Sequence, residues 1–184
     1  MSSAVLRFAP SPNGYLHLGH AYSALYTDLW ARQLGGTALL RLEDTDVERC
    51  KPVFAQAIIE DLQWLGLEYA GPVMVQSTRF HVYSAFAERL WQRGLLYHCD
   101  CTRQEIAARS SGTDPDGAPL YDGKCRLHGL AGGDRPRQSR LDLHKALALT
   151  SPLSFTVLGP TQFDRPQIGY ARPDLWGDVV RQRM

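Results

Sequence analysis

A chain of 184 residues is long enough for one substantial core, or for one core carrying a small inserted module. Its hydrophobic fraction of 44% and charged fraction of 21% are those of an ordinary globular protein. With 20 basic against 19 acidic residues the formal charge is +1, which excludes a chain-wide basic surface. Any nucleic-acid contact must then come from a local patch, for which Arg135, Arg137 and Arg140 are the candidate and a solvated basic loop the plain alternative. No apolar run approaches the roughly 18 residues that would span a bilayer, and the N-terminus lacks the charged-then-apolar pattern of a secretory signal. No membrane partner and a cytoplasmic location are therefore expected. There the four cysteines, at positions 50, 99, 101 and 125, would be reduced thiols available to a metal.

Ala4 to Phe8 reads as a short buried strand; Pro10 and Pro12 stiffen an extended exit, and Gly14 permits a turn that other residues resist. A helix follows, with Leu18, Tyr22, Leu25 and Leu29 at a spacing that predicts a core-facing stripe. Its open N-terminal end suits an anion. His17 and His20, three residues apart, can both project from that tip toward one phosphate; a surface or capping role is the alternative reading of the same pair. Thr37 to Leu42 is a second buried strand, placed after the Gly35-Gly36 helix stop, and Glu43 falls at its carboxyl end. Phe54, Ile58, Leu62 and Leu65 mark a further amphipathic helix, opened by Pro52 and closed near Gly66.

Strand, helix, strand, helix is the rhythm of an α/β fold, and open parallel sheets bind ligands beyond the carboxyl ends of their strands. That places Arg7, Ser11, His17, His20 and Glu43 around one crevice, although Glu43 and Asp44 read equally well as a helix cap or a surface pair. Another helix, from about Thr78 to Arg93, carries Val82, Phe86 and Leu90 on one face. From Tyr97 the texture changes. Cysteines and the polar loop Ser110 to Pro119 predict an inserted module, within which Arg140–Leu143 and Leu153–Leu158 are strand-like. Cys99, Cys101 and Cys125 could converge on a tetrahedral ion, with Cys50 left apart; chemistry alone favours His98 or His128 as a fourth ligand, and three free thiols are the alternative.

The run Ser11-Pro12-Asn13-Gly14-Tyr15-Leu16-His17-Leu18-Gly19-His20 resembles the "HIGH" signature of class I aminoacyl-tRNA synthetases, in the form used by glutamyl enzymes. Arg41 to Asp46 and Glu60 to Leu67 are similar to the glutamyl pattern as well. Cys99-Asp100-Cys101 and Tyr121 to Arg126 resemble the zinc region of the glutamyl-Q tRNA(Asp) synthetases, paralogues without an anticodon-binding domain. The resemblance runs from Leu6 to about Val180. It implies a Rossmann-like catalytic core, with 1–96 as the N-terminal half of the catalytic domain, 97–139 as a zinc-binding insertion, and 140–184 as the remainder of the insertion and a return toward the sheet.

It also implies an ATP-dependent enzyme that activates glutamate without tRNA and transfers it to the queuosine base of tRNA(Asp). His17 and His20 are the implied catalytic pair and, with Gly19, the ATP contacts; Arg7, Ala9, Ser11 and Glu43 hold glutamate; Mg²⁺ accompanies ATP. One structural Zn²⁺ falls to Cys99, Cys101, Cys125 and, on the resemblance, Tyr121. Relatives carry a second, lysine-rich loop, and Lys51, Lys124 and Lys145 stand in no such setting. The chain is accordingly expected to lack the second half of the catalytic domain and to be a monomer. A silent fragment, or a fragment of an ordinary glutamyl-tRNA synthetase, remains the alternative.

Overall fold

The computed structural model describes residues 3–128, 138–159 and 165–183, and the chain divides into two compact units, Met1–Tyr83 and Ser84–Met184. In the first, β1 (Val5–Phe8), α1 (Leu18–Gln33), β2 (Thr37–Leu42), α2 (Pro52–Trp64) and β3 (Met74–Val75) make a parallel sheet of order β1-β2-β3. The register runs from Val5 opposite Thr37 to Phe8 opposite Leu40. Because strand side chains alternate, Phe8, Leu40 and Leu42 share one face, and that face is buried with Ala24 of α1, Ile58 and Leu62 of α2, and Leu67.

The helix boundaries have chemical causes. Pro52 sits in the first turn of α2, where a missing N–H costs nothing. Past its end Gly66, at φ +72°, turns the chain so that its own N–H reaches Gln63 O and the Leu67 N–H reaches Leu62 O. That double closure satisfies carbonyls the helix would otherwise strand, and α1 ends in the same way through Gly35 and Gly36.

The stripe expected of α1 is a correction. Leu18 and Tyr22 are 77% and 69% exposed, Leu25 and Leu29 are exposed too, and the helix instead buries Ala24 and Ala31. Those two alanines lie two turns apart on one face, and small side chains let the helix backbone settle close against the paired strands.

A 3-10 turn (Gln76–Arg79) leads into α3 (Phe80–Gln92), within which the unit boundary falls; Val82 and Leu90 are half-buried and Phe86 is exposed under Arg89. The second unit continues with β4 (Leu96–Cys99), α4 (Arg103–Arg109), α5 (Lys124–His128), β5 (Gln138–Leu141), α6 (Leu143–Ala148), β6 (Ser154–Val157), β7 (Gln167–Tyr170) and β8 (Val180–Arg183). β4, β5 and β8 form an antiparallel sheet in that order, and β6 and β7 form a hairpin. The strand expected over Arg140–Leu143 stops at Leu141, because the Asp142 side chain accepts the Lys145 N–H and starts α6. Val180–Arg183 pairs with β5 of this second sheet.

Candidate functional site

At the carboxyl end of the parallel strands, His17 is the N-cap of α1. Its Nδ1 accepts the Gly19 N–H at 3.1 Å, and the Nδ1 of His20 accepts the His17 N–H at 3.3 Å. Capping, the alternative reading of the pair, is what these bonds show. An imidazole nitrogen that accepts carries no proton, so each neutral ring holds its hydrogen on Nε2, which no cap uses. The rings lie 4.0 Å apart between centroids. Burial and then the neighbouring His17 hold His20 below its ordinary pKa of 6.5, which favours the neutral ring. A Cβ on Gly19 would lie 3.0 Å from His17 Cε1, a tight contact that the capping ring would have to ease.

The turn between β1 and α1 is tied to the end of β2. The Glu43 N–H donates to Pro10 O at 2.9 Å, which sets Glu43 beside the Ala9–Ser11 segment, and the Lys51 N–H donates to Pro12 O at 3.0 Å. Arg7 projects from β1 away from the buried face and is exposed, as is Ser11; Ala9 is half-buried. The Glu43 carboxylate, one residue past β2, accepts from the guanidinium of Arg41 in that strand. Asp44 acts differently, accepting the Ser77 N–H at 2.8 Å and the Ser77 hydroxyl at 2.6 Å, and so caps the 3-10 turn that leads to α3.

In the second unit Cys99, Cys101 and Cys125 are buried with their sulfurs within 4.8 Å of one another. Zn–S bonds of about 2.3 Å and a Zn–O bond of about 2.0 Å at tetrahedral angles separate sulfurs by about 3.8 Å and sulfur from oxygen by about 3.5 Å. The Cys101 and Cys125 sulfurs are 3.6 Å apart, and the Tyr121 oxygen lies 3.6 Å from Cys99 Sγ and 3.9 Å from Cys101 Sγ. Three sulfurs could thus hold one metal ion, with the phenol oxygen beside two of them at distances near those of a tetrahedral set.

His98 is on the other side. It is exposed against Trp91, since alternation along β4 sends it away from Cys99. The His128 side chain lies outside the described residues. Burial pushes the Cys99 thiol up, but hydrogen bonds from Tyr121 and Arg140 outweigh it and bring Cys99 to about 7. Burial pushes Cys125 up to about 12 and raises the Tyr121 phenol as well. Cys50 stands apart, half-buried, as expected.

The family described as tRNA synthetases class I (E and Q), catalytic domain, matches residues 3–130. This chain belongs to that family. The glutamyl-Q tRNA(Asp) synthetase of Rhodobacter capsulatus is 41% identical over 97% of the chain, which spans 66% of that protein's length. A glutamate–tRNA ligase of Oleidesulfovibrio alaskensis is 41% identical over 91% of the chain, which spans 36% of it. Among solved structures, the glutamate–tRNA synthetase of Elizabethkingia anophelis superposes with a TM-score of 0.64 at 24% identity, covering 99% of this chain and 39% of that one. The last likeness establishes the fold. Among the described residues no helix is long and apolar enough to cross a membrane.

Within this synthetase fold, buried and paired polar residues surround the sulfur cluster. Arg140, expected in a basic patch, is a correction: it is buried and donates to Cys99 Sγ at 3.2 Å and to Asp178 O at 2.8 Å. Arg135 and Arg137 lie outside the described residues. Arg109 donates to Cys101 Sγ at 3.4 Å while pairing with Asp122. Asp178 accepts the Tyr97 hydroxyl at 2.7 Å and the Leu143 N–H at 2.8 Å, joining β4 to the start of α6. A charged residue held inside by a sulfur has the same sequence signature as one on the surface. Only the alternation of Arg140 with Gln138 on β5 hinted at a shared face.

Proposed function

We propose that this chain activates glutamate with ATP in the absence of tRNA and transfers the glutamyl group to the queuosine base of tRNA(Asp). In the first step the α-carboxylate oxygen of glutamate bonds to the α-phosphorus, the bond from that phosphorus to the bridging oxygen breaks, and pyrophosphate leaves. In the second, a queuosine hydroxyl attacks the acyl carbon, loses its proton, and releases AMP. Negative charge builds on the α-phosphate oxygens in the first step. The Nε2–H groups of His17 and His20 face such oxygens as fixed neutral donors, so they stabilise charge without moving a proton. That pair of donors, held by its own capping bonds at the helix tip, is the observation carrying the reading.

Glu43 binds the substrate ammonium with the lone pairs Arg41 leaves free, Arg7 holds a substrate carboxylate, and Ala9 and Ser11 add backbone and hydroxyl contacts. Gly19 lets the nucleotide approach the helix end. Mg²⁺, when bound with ATP, offsets phosphate charge. One structural zinc is held by Cys99, Cys101, Cys125 and Tyr121, in an insertion over 97–139 between the catalytic half-domain 1–96 and the remaining 140–184. Its closed four-ligand set supplies folding energy to the insertion. The unpaired cysteines suit a cytoplasmic setting.

The choice of acceptor is supported by the match to the R. capsulatus protein over nearly the whole chain. A glutamate–tRNA ligase of Geobacter sulfurreducens, 47% identical over 74% of the chain, favours a second reading in which the acceptor is the terminal adenosine. Labelled glutamate presented with tRNA(Asp) carrying or lacking queuosine, and with tRNA(Glu), separates them. Label on queuosine-containing tRNA(Asp) alone is expected; label on tRNA(Glu) would establish the second reading instead.

A further inference from the structure

We propose that Arg140 is the charge-balancing and positioning residue of the metal centre, acting on the ion through the Cys99 sulfur and the Tyr121 ring. The inference rests on the zinc reading above. A guanidinium cannot shed its proton in a protein, and a buried one needs an anion beside it. Arg140 is only 6% exposed, and among the described residues it forms no ion pair with a carboxylate. Its partners are Cys99 Sγ, 3.2 Å from Nε, the backbone oxygen of Asp178, 2.8 Å from Nη1, and the face of Tyr121, 4.0 Å below the guanidinium carbon. Of the nearby carboxylates, Asp178 is engaged by Tyr97, Leu143 and Arg126, Asp122 by Arg109, and Asp100 lies 3.2 Å from Cys125 Sγ.

Three thiolates outweigh the two positive charges of a zinc ion even with the phenol neutral, so the loaded centre is anionic. Arg140 is the buried cation that faces it, whereas Arg109, which also donates to Cys101 Sγ, is partly exposed and paired with Asp122. One N–H directs a lone pair of Cys99, and the flat guanidinium over Tyr121 fixes the ring whose oxygen stands at the fourth corner. The register of β4 and β5 builds this arrangement, since Tyr97 lies opposite Arg140 and Cys99 opposite Gln138 on the same face.

Arg140→Met keeps the bulk and removes the charge; Arg140→Lys keeps the charge and removes the flat fork. Chelator competition on the full chain is expected to show zinc held about 10- to 100-fold more weakly by Arg140→Met, as for other outer-shell partners, with Arg140→Lys recovering part of the loss. With cobalt in place of zinc, the sulfur-to-metal charge-transfer band of Arg140→Met should move to longer wavelength, because the Cys99 lone pairs lose their hydrogen bond. Should Arg140→Met fail to fold, the wild-type chain loaded with cadmium-113 still decides, by scalar coupling from the metal to the Arg140 Nε proton. Unchanged zinc affinity and cobalt spectrum in a folded Arg140→Met, or no cadmium coupling in the wild type, overturn the proposal. A wild-type chain that takes up no metal overturns the zinc reading beneath it.

Discussion

Two imidazoles whose Nδ1 atoms are spent on capping a helix have one useful hydrogen each. The structural work of the pair and the chemical work proposed for it fall to different atoms of the same ring, and substitution can separate them. Asparagine is a strong N-cap but has no Nε2–H, so His17→Asn should leave the melting temperature within a few degrees while lowering the rate of glutamate activation about 100-fold or more. His17→Ala should lose the rate and about 1 kcal/mol of stability as well. Equal rates for His17→Asn and wild type would remove His17 from the chemistry.

The pH behaviour of His20 follows from the same geometry. Its folded pKa lies below the ordinary 6.5, so the neutral ring is the folded form. The contribution is complete above 6.5 and is lost as pH falls through the depressed value, when protonated Nδ1 can no longer accept the His17 N–H. An NMR titration should place the His20 midpoint below 6.5, and a midpoint above it would contradict the capping geometry. In the sequence the pairing of the two histidines was legible and the division of labour was not. A tautomer is set by which nitrogen accepts a bond, and that needs coordinates.

Elements were legible where local chemistry decides them. β2 matches its expected span of Thr37–Leu42, and α2 runs from Pro52 to the glycine stop, because proline and a left-handed glycine act within a few residues. The α1 stripe was misread because periodicity ranks faces by apolar size, whereas the helix settles on its alanines. The difference is measurable. Leu62→Ala, at 1% exposure in the core, should cost about 2–5 kcal/mol in urea unfolding, and Leu18→Ala, at 77% exposure, within about 0.5 kcal/mol. Comparable losses at the two positions would restore the larger stripe as the packed one. The end of β5 was likewise misplaced, since Asp142 looked like one more alternating strand residue and is a cap.

Across the whole molecule, two units rest on different physics. The first is an apolar core under a short parallel sheet, and the second gathers three sulfurs, a phenol and buried ionic groups around an antiparallel one. The first was readable from hydrophobic pattern. The second was readable only as a ligand set, because the residues that hold it together, Arg140, Arg109 and Asp178, carry no periodic signal. A balanced charge of +1 concealed that basic side chains are used inside as well as outside. The proposed activity depends on the helix tip of the first unit binding ATP for chemistry on glutamate. Exchange of labelled pyrophosphate into ATP measures that step most directly. Exchange that requires glutamate and proceeds without tRNA is expected of the 184-residue chain; no glutamate-dependent exchange, or exchange only when tRNA is added, would contradict it.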